Sequence, residues 1–312
     1  MKAKKWITIY FLFIFGVVIS IQFILVYNKI PLRFSNSISY DAKLNFIHNH
    51  KLLENADTLV IGSSMSLNNI SGITLEDNSK KIKKVANIAS WGLSSKESLE
   101  FLQSINLKKI KYIIYSTEYD DFTNKEYNKE IDIESTIAYL DNQFVLKPYL
   151  KRFSTAYKNI GNYLFYKEKY LNPNSYKSLI FDRTGSTNFT FSKEFYIKKR
   201  WNETIEYDNE LSEKSFESLK KIVDVADTFN IKLIVAISPI RLSFLKTHPI
   251  AQKKMETCLK KLKHLSKEKK FIYINAHKLL QLDDSYFVGA THLNESGAIE
   301  LSKMILKKSK IL

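Results

Sequence analysis

Residues 6–27 (WITIYFLFIFGVVISIQFILVY) form a run of 22 residues without a charge. At 1.5 Å per residue, a helix of this length covers about 30 Å, the thickness of the hydrocarbon layer of a bilayer. Lys2, Lys4 and Lys5 precede the run, and the positive-inside tendency assigns them to the cytoplasm. Trp6 and Tyr27 stand at its two ends, where amphipathic rings favour the membrane interface. A cleaved secretory signal would have a shorter apolar core followed by a small-x-small site. The sequence that follows here is NKIPLRFS. The chain is therefore expected to carry an uncleaved signal anchor over residues 1–29, a membrane-proximal connector over 30–56 and a main domain over 57–312. No second stretch is long and apolar enough to span, so a single-pass topology with the main domain outside the cytoplasm is expected.

Within that domain, short apolar runs alternate with helical patterns. Residues 58–61, 84–88, 112–115, 233–237 and 271–274 read as strands buried on both faces, because they are apolar without alternation. Residues 95–105, 210–229, 249–267 and 295–308 repeat their apolar positions at helical spacing, and Pro249 suits a first helical turn. Such alternation predicts an α/β fold, a three-layer α/β/α sandwich around a mostly parallel five-stranded sheet. Ligand sites in such sheets lie at the carboxyl ends of the strands. Residues 123–209 break the alternation. They are rich in Tyr, Phe and Asn, with Pro148, Pro173 and Gly185 as breakers, and read as an insertion that could form a lid or substrate surface.

The formal net charge is +16, from 48 Lys and Arg against 32 Asp and Glu. The lysines are spread over polar helix faces, a pattern that argues for a solvated surface, or for attraction to anionic lipid or polymer, rather than for nucleic acid. A single cysteine, Cys258, excludes an internal disulfide, and its place in an amphipathic helix suits a buried apolar residue. His48 and His50 are spaced two apart, which puts them on different helix faces and argues against a metal site. The chain has no zinc spacing, P-loop or dinucleotide fingerprint, so no cofactor is expected.

Three strand ends carry residues with chemistry. LVIGSSMS (59–66) ends the first strand, and Gly62 permits a tight turn that presents Ser63, Ser64 or Ser66 at the sheet edge. A serine-rich helix cap would look the same. NIASWGLSS (87–95) ends the second strand, with Gly92 as either a turn residue or an amide donor. SYFVGATHLNESGAIELSKMI (285–305) puts His292 just before a helix capped by Asn294, where a neutral imidazole could take a serine proton.

In this order, GSS, N-x-x-x-x-G and HLN-x-x-G resemble the SGNH/GDSL hydrolase superfamily. The likeness is greatest to its membrane-anchored bacterial branch, which includes proteins similar to the D-alanyl-lipoteichoic acid transfer protein and to polysaccharide O-acetyltransferase components. The resemblance covers residues 57–122 and 230–308. It implies Ser64 as nucleophile, His292 as general base, and the backbone N–H groups of Ser64 and Gly92 as the oxyanion hole. The implied activity is that of a membrane-anchored serine acyltransferase or esterase working on O-acyl groups of a cell-surface polysaccharide or an anionic envelope polymer. A multispanning membrane protein is implied as the partner that delivers acyl groups.

Two departures accompany the resemblance. The family's Asp three residues before the histidine is Gly289 here, which leaves Asp283, Asp284 or a backbone carbonyl as candidates to orient His292. The family's Asn after the third strand is replaced by Glu118 in STEYDDF, and an ionised carboxylate cannot donate to an oxyanion. Asp120 and Asp121 of that segment are expected on a solvated loop, with substrate binding as the alternative. The departures leave an alternative, a catalytically impaired protein that binds glycan or scaffolds a partner.

Overall fold

A computed structural model describes residues 2–123, 129–158, 161, 165–191 and 210–312. Helix α1 (Lys2–Tyr27) is followed by α2 (Ile38–Asn49), β1 (Thr58–Ile61), α3 (Ser64–Asn69), α4 (Gly72–Asp77), β2 (Val85–Asn87), α5 (Ser95–Gln103) and β3 (Tyr112–Thr117). Helices α6 (Ile133–Leu140), α7 (Leu146–Lys158) and α8 (Tyr166–Tyr170) lie in the insertion. The chain closes with α9 (Glu213–Thr228), β4 (Lys232–Ile237), α10 (Leu242–Thr247), α11 (Pro249–Glu268), β5 (Ile272–Asn275), α12 (Ala276–Leu280) and α13 (Glu295–Ser309).

The five strands form one sheet in the order β2-β1-β3-β4-β5, and every pairing is parallel. The period of two along each strand divides the core. Leu59, Ile61, Ile113, Tyr115, Leu233 and Val235 face one cluster, which Leu99 and Leu102 of α5 and Leu219 and Ile222 of α9 complete. Val60, Ile114, Ile234 and Ala236 face the other, against Leu75 of α4 and Leu301 and Ile305 of α13. Both sheet faces are thus covered by helices, and the strands read as unbroken apolar runs for that reason. The third strand runs two residues past its expected end, because Ser116 and Thr117 continue to pair with Ala236 and Ile237.

Helix α1 is apolar and almost wholly exposed over its length, with the composition of a membrane anchor or a signal sequence. Residues 30–56 are packed into the domain: Phe34, Tyr40, Leu44 and Ile47 all belong to the larger core cluster. Asp41 holds the chain that leaves α1, accepting from the Phe34 amide at 2.9 Å and facing Arg33 at 2.9 Å. Burial raises the Asp41 pKa to about 7, against the pull of the Arg33 guanidinium.

Lys43 of α2 joins three parts of the chain. Its buried ammonium donates to the Asn87 carbonyl at the end of β2 at 2.9 Å and to the Gly185 carbonyl of the insertion, beneath the Phe181 ring. Burial drives its pKa well below the usual lysine value, and Asp182 opposes the shift. The neutral amine would still keep two N–H donors for the two carbonyls. Lys43→Ala leaves both carbonyls without this donor, so denaturant unfolding should show a loss of about 2–4 kcal/mol.

Candidate functional site

The turn from β1 into α3 is a steric necessity. Gly62 has φ +122°, and a Cβ there would lie 2.6 Å from the Tyr115 ring. The serines that follow divide three tasks. Ser63 caps α3, its Oγ accepting from the Met65 amide at 3.2 Å. Ser66 is buried and bonds both ways to Ser116 of β3, donating to its carbonyl and accepting from its amide, each at 2.9 Å. Ser64 is half-buried, and its Oγ lies 3.0 Å from His292 Nε2.

The histidine is held from the side of Ser64. Asn69, the last residue of α3, is fully buried. Its Nδ2 donates to the Thr291 carbonyl at 2.9 Å and to Ser238 Oγ at 2.7 Å, and its Oδ1 accepts from the Leu293 amide at 2.9 Å. Both neighbours of His292 are therefore fixed to the helix that carries Ser64. The His292 carbonyl accepts from Val288 at 2.9 Å, and Asn294 caps α13 through the Gly297 amide at 3.0 Å.

The second ring nitrogen of His292 faces the insertion, where its Nδ1 lies 2.7 Å from the Tyr176 hydroxyl. The Tyr176 ring stacks on Phe189 with centroids 5.0 Å apart, and both rings stand nearly perpendicular to the imidazole. Phe189 is held in turn: its carbonyl accepts from the Glu295 amide at 2.8 Å. The segment before it is stitched to α3, with Thr187 donating to the Leu67 carbonyl and Asn188 to those of Asn68 and Ile70. Asn87 completes the seam, donating from Nδ2 to the Ser66 carbonyl at 3.0 Å and to Ser186 Oγ at 3.1 Å. The described part of the insertion thus forms one wall of the site.

Other residues singled out in the sequence lie as follows. Gly92 sits in a left-handed turn at φ +57°, two residues beyond Ser90, whose amide donates to the Gly62 carbonyl at 3.1 Å. Lys129 of the insertion donates to the Trp91 carbonyl beside it at 2.6 Å; burial lowers its pKa to about 8, opposed by Glu97 and Asp121. Asp283 accepts from the Ser285 amide at 2.7 Å, and Asp284 accepts from Ser243 Oγ at 3.0 Å. Gly289 faces open space, with nothing within 4 Å of a Cβ placed on it.

The segment after β3 differs from the expected solvated loop. Asp121 is half-buried and accepts from Thr117 Oγ1 at 2.9 Å, from the Glu118 amide at 3.1 Å and from the Ser63 side chain. Burial raises its pKa to about 6 despite these donors. Its carboxylate thereby ties the end of β3 to the turn between β1 and α3. His48 stacks on Tyr139 and His50 on Phe46, while His277 Nδ1 accepts from the Ile240 amide.

No protein-family model matches the chain, and no curated protein is significantly similar to it.

A hydroxyl at 2.7 Å from Nδ1 can fix the imidazole ring and its tautomer, a task that usually falls to a carboxylate. Tyr176→Phe keeps the ring stack and removes the oxygen. The variant should melt near the wild-type temperature, while the rate at which Ser64 reacts with an organophosphonate falls about 10- to 100-fold, the order typical for groups that orient a histidine through its second nitrogen.

Proposed function

We propose that the chain is a membrane-anchored serine acyltransferase or esterase of the SGNH type, acting on O-acyl groups of a cell-surface polysaccharide or related envelope polymer. The observation that carries this reading is the 3.0 Å approach of Ser64 Oγ to His292 Nε2, at the carboxyl edge of a parallel sheet. The apolar α1 supports the envelope location, and the order of the GSS, Gly92 and HLN segments supports the family.

In the first half-reaction Ser64 Oγ attacks the acyl carbonyl carbon and its proton passes to His292 Nε2. The backbone N–H groups of Ser64 and Gly92 are the proposed donors to the oxyanion. When the tetrahedral adduct collapses, the donor's oxygen leaves with the proton from His292 and the acyl group stays on Ser64. In the second half, a sugar hydroxyl or water gives its proton to His292 and attacks the acyl-serine, and Ser64 regains a proton as the ester breaks. A multispanning membrane protein would supply acyl groups from the other side of the bilayer.

The second reading, a glycan-binding or scaffolding protein, is favoured by Gly289, which brings no carboxylate to His292. The two readings separate when the full chain in detergent is treated with a fluorophosphonate and weighed intact. Catalysis predicts one adduct, none in Ser64→Ala, and labelling slower by about 10²-fold or more in His292→Ala. A folded wild-type chain that takes up no adduct would overturn catalysis in favour of the second reading.

A further inference from the structure

We infer that α7 is a second membrane contact, an interfacial helix lying in the outer headgroup layer beside the anchor. The inference rests on α1 being a membrane anchor and is independent of any chemistry at Ser64.

Three faces of α7 have three different characters. Arg152 and Ala156, four residues apart, pack inward against the end of α1: Arg152 donates to Gln22 Oε1 at 2.9 Å and to the Ile30 carbonyl at 3.3 Å. Ala156 shares a buried cluster with Leu25 and Ile30. Leu146 and Leu150, also four apart, are 56% and 59% exposed, and Phe144 just before the helix is 79% exposed. Lys147, Lys151 and Lys158 occupy a third face. An apolar stripe left in water beside a basic one suits neither the core of a domain nor a solvated surface. It is the pattern of a helix that lies in the plane of an interface rich in anionic lipid.

The contacts with α1 set the depth. Gln22 precedes the end of α1 at Tyr27 by five residues, about 7–8 Å along the helix axis, and Ile30 follows that end, so the Arg152 guanidinium, bonded to both, lies within the last turns of α1 or at its end. Interfacial helices settle about 5–10 Å into the headgroup and acyl boundary, so an anchor that spans the bilayer carries α7 to that level. Lys167 of α8 stands over the Tyr27 ring at 4.0 Å, and the neighbouring Phe165 is 60% exposed, so the apolar fringe extends past α7 around the same end of the anchor. The occupant of this surface is therefore the bilayer that holds α1.

The test uses the full chain in vesicles of phosphatidylcholine and phosphatidylglycerol. Leu150→Cys is labelled with an environment-sensitive NBD fluorophore and compared with Ile250→Cys, an exposed position at the start of α11. Cys258 is buried, and mock-labelled wild-type protein corrects for it. The label at 150 should be blue-shifted and quenched several-fold more by lipids brominated high in the acyl chain than the label at 250. Equal quenching by aqueous iodide at both positions, with no effect of brominated lipid at 150, would overturn the inference. Because position 150 is already exposed, both variants should fold, and matching circular dichroism checks that they do.

Discussion

A single buried amide, that of Asn69, grips the chain on both sides of His292. Ser64 begins the short helix that Asn69 ends, so Ser64 and His292 are positioned by one helix of six residues rather than by two independent loops. In a dry core Asn69 is satisfied by the Thr291 carbonyl, the Leu293 amide and Ser238 Oγ, and these bonds fix the loop against α3. Ser66 and Asp121 fasten the same turn to β3, and Asn87 fastens it to β2. The approach of Ser64 to His292 is in this sense a by-product of satisfying polar groups at the sheet edge.

Tyr176 changes what can be asked of His292. A carboxylate beside Nδ1 fixes the tautomer and stabilises the imidazolium that forms when serine gives up its proton. A neutral phenol can do the first by accepting from Nδ1–H, and it offers the cation only a dipole. The space around Gly289 shows that steric crowding does not forbid a side chain at the position where the family that the sequence resembles carries the acid. Under the proposed reading the orienting role falls to the insertion, whose described residues 182–191 are bonded to α3, β2 and the start of α13. The part of the chain that departs from strand-helix alternation therefore reaches the centre of the site.

What could be read from the sequence follows from which forces are local. Strands buried on both faces show as apolar runs, and the five expected strands all exist within one or two residues of their expected ends. The turn at Gly62 follows from its place at the end of the first strand, but that place leaves Ser63, Ser64 and Ser66 open, and Ser64 and His292 were singled out by the family resemblance; capping explains why Asn294 starts α13. Tyr176 was not legible: it lies 116 residues from His292 in the chain, and its placement depends on stacking with Phe189 and on backbone bonds made by neighbours. Asp121 was misjudged because a DD pair reads as solvated until Ser63 and Thr117 are seen to surround it. Two asparagines at the end of α3 were the missed clue, since polar side chains on a short helix between two strands must find buried partners.

The account turns on His292 presenting a bare Nε2 to Ser64 while Nδ1–H donates to Tyr176. Long-range proton–nitrogen correlation spectra of the full chain, labelled at its histidine nitrogens, read this directly once His292→Ala identifies the signal. The account predicts a protonated Nδ1 and an unprotonated Nε2 in the neutral ring, with this preference lost in Tyr176→Phe. A neutral His292 that carries its proton on Nε2 would contradict it, because the ring would then donate to Ser64 and could not take its proton.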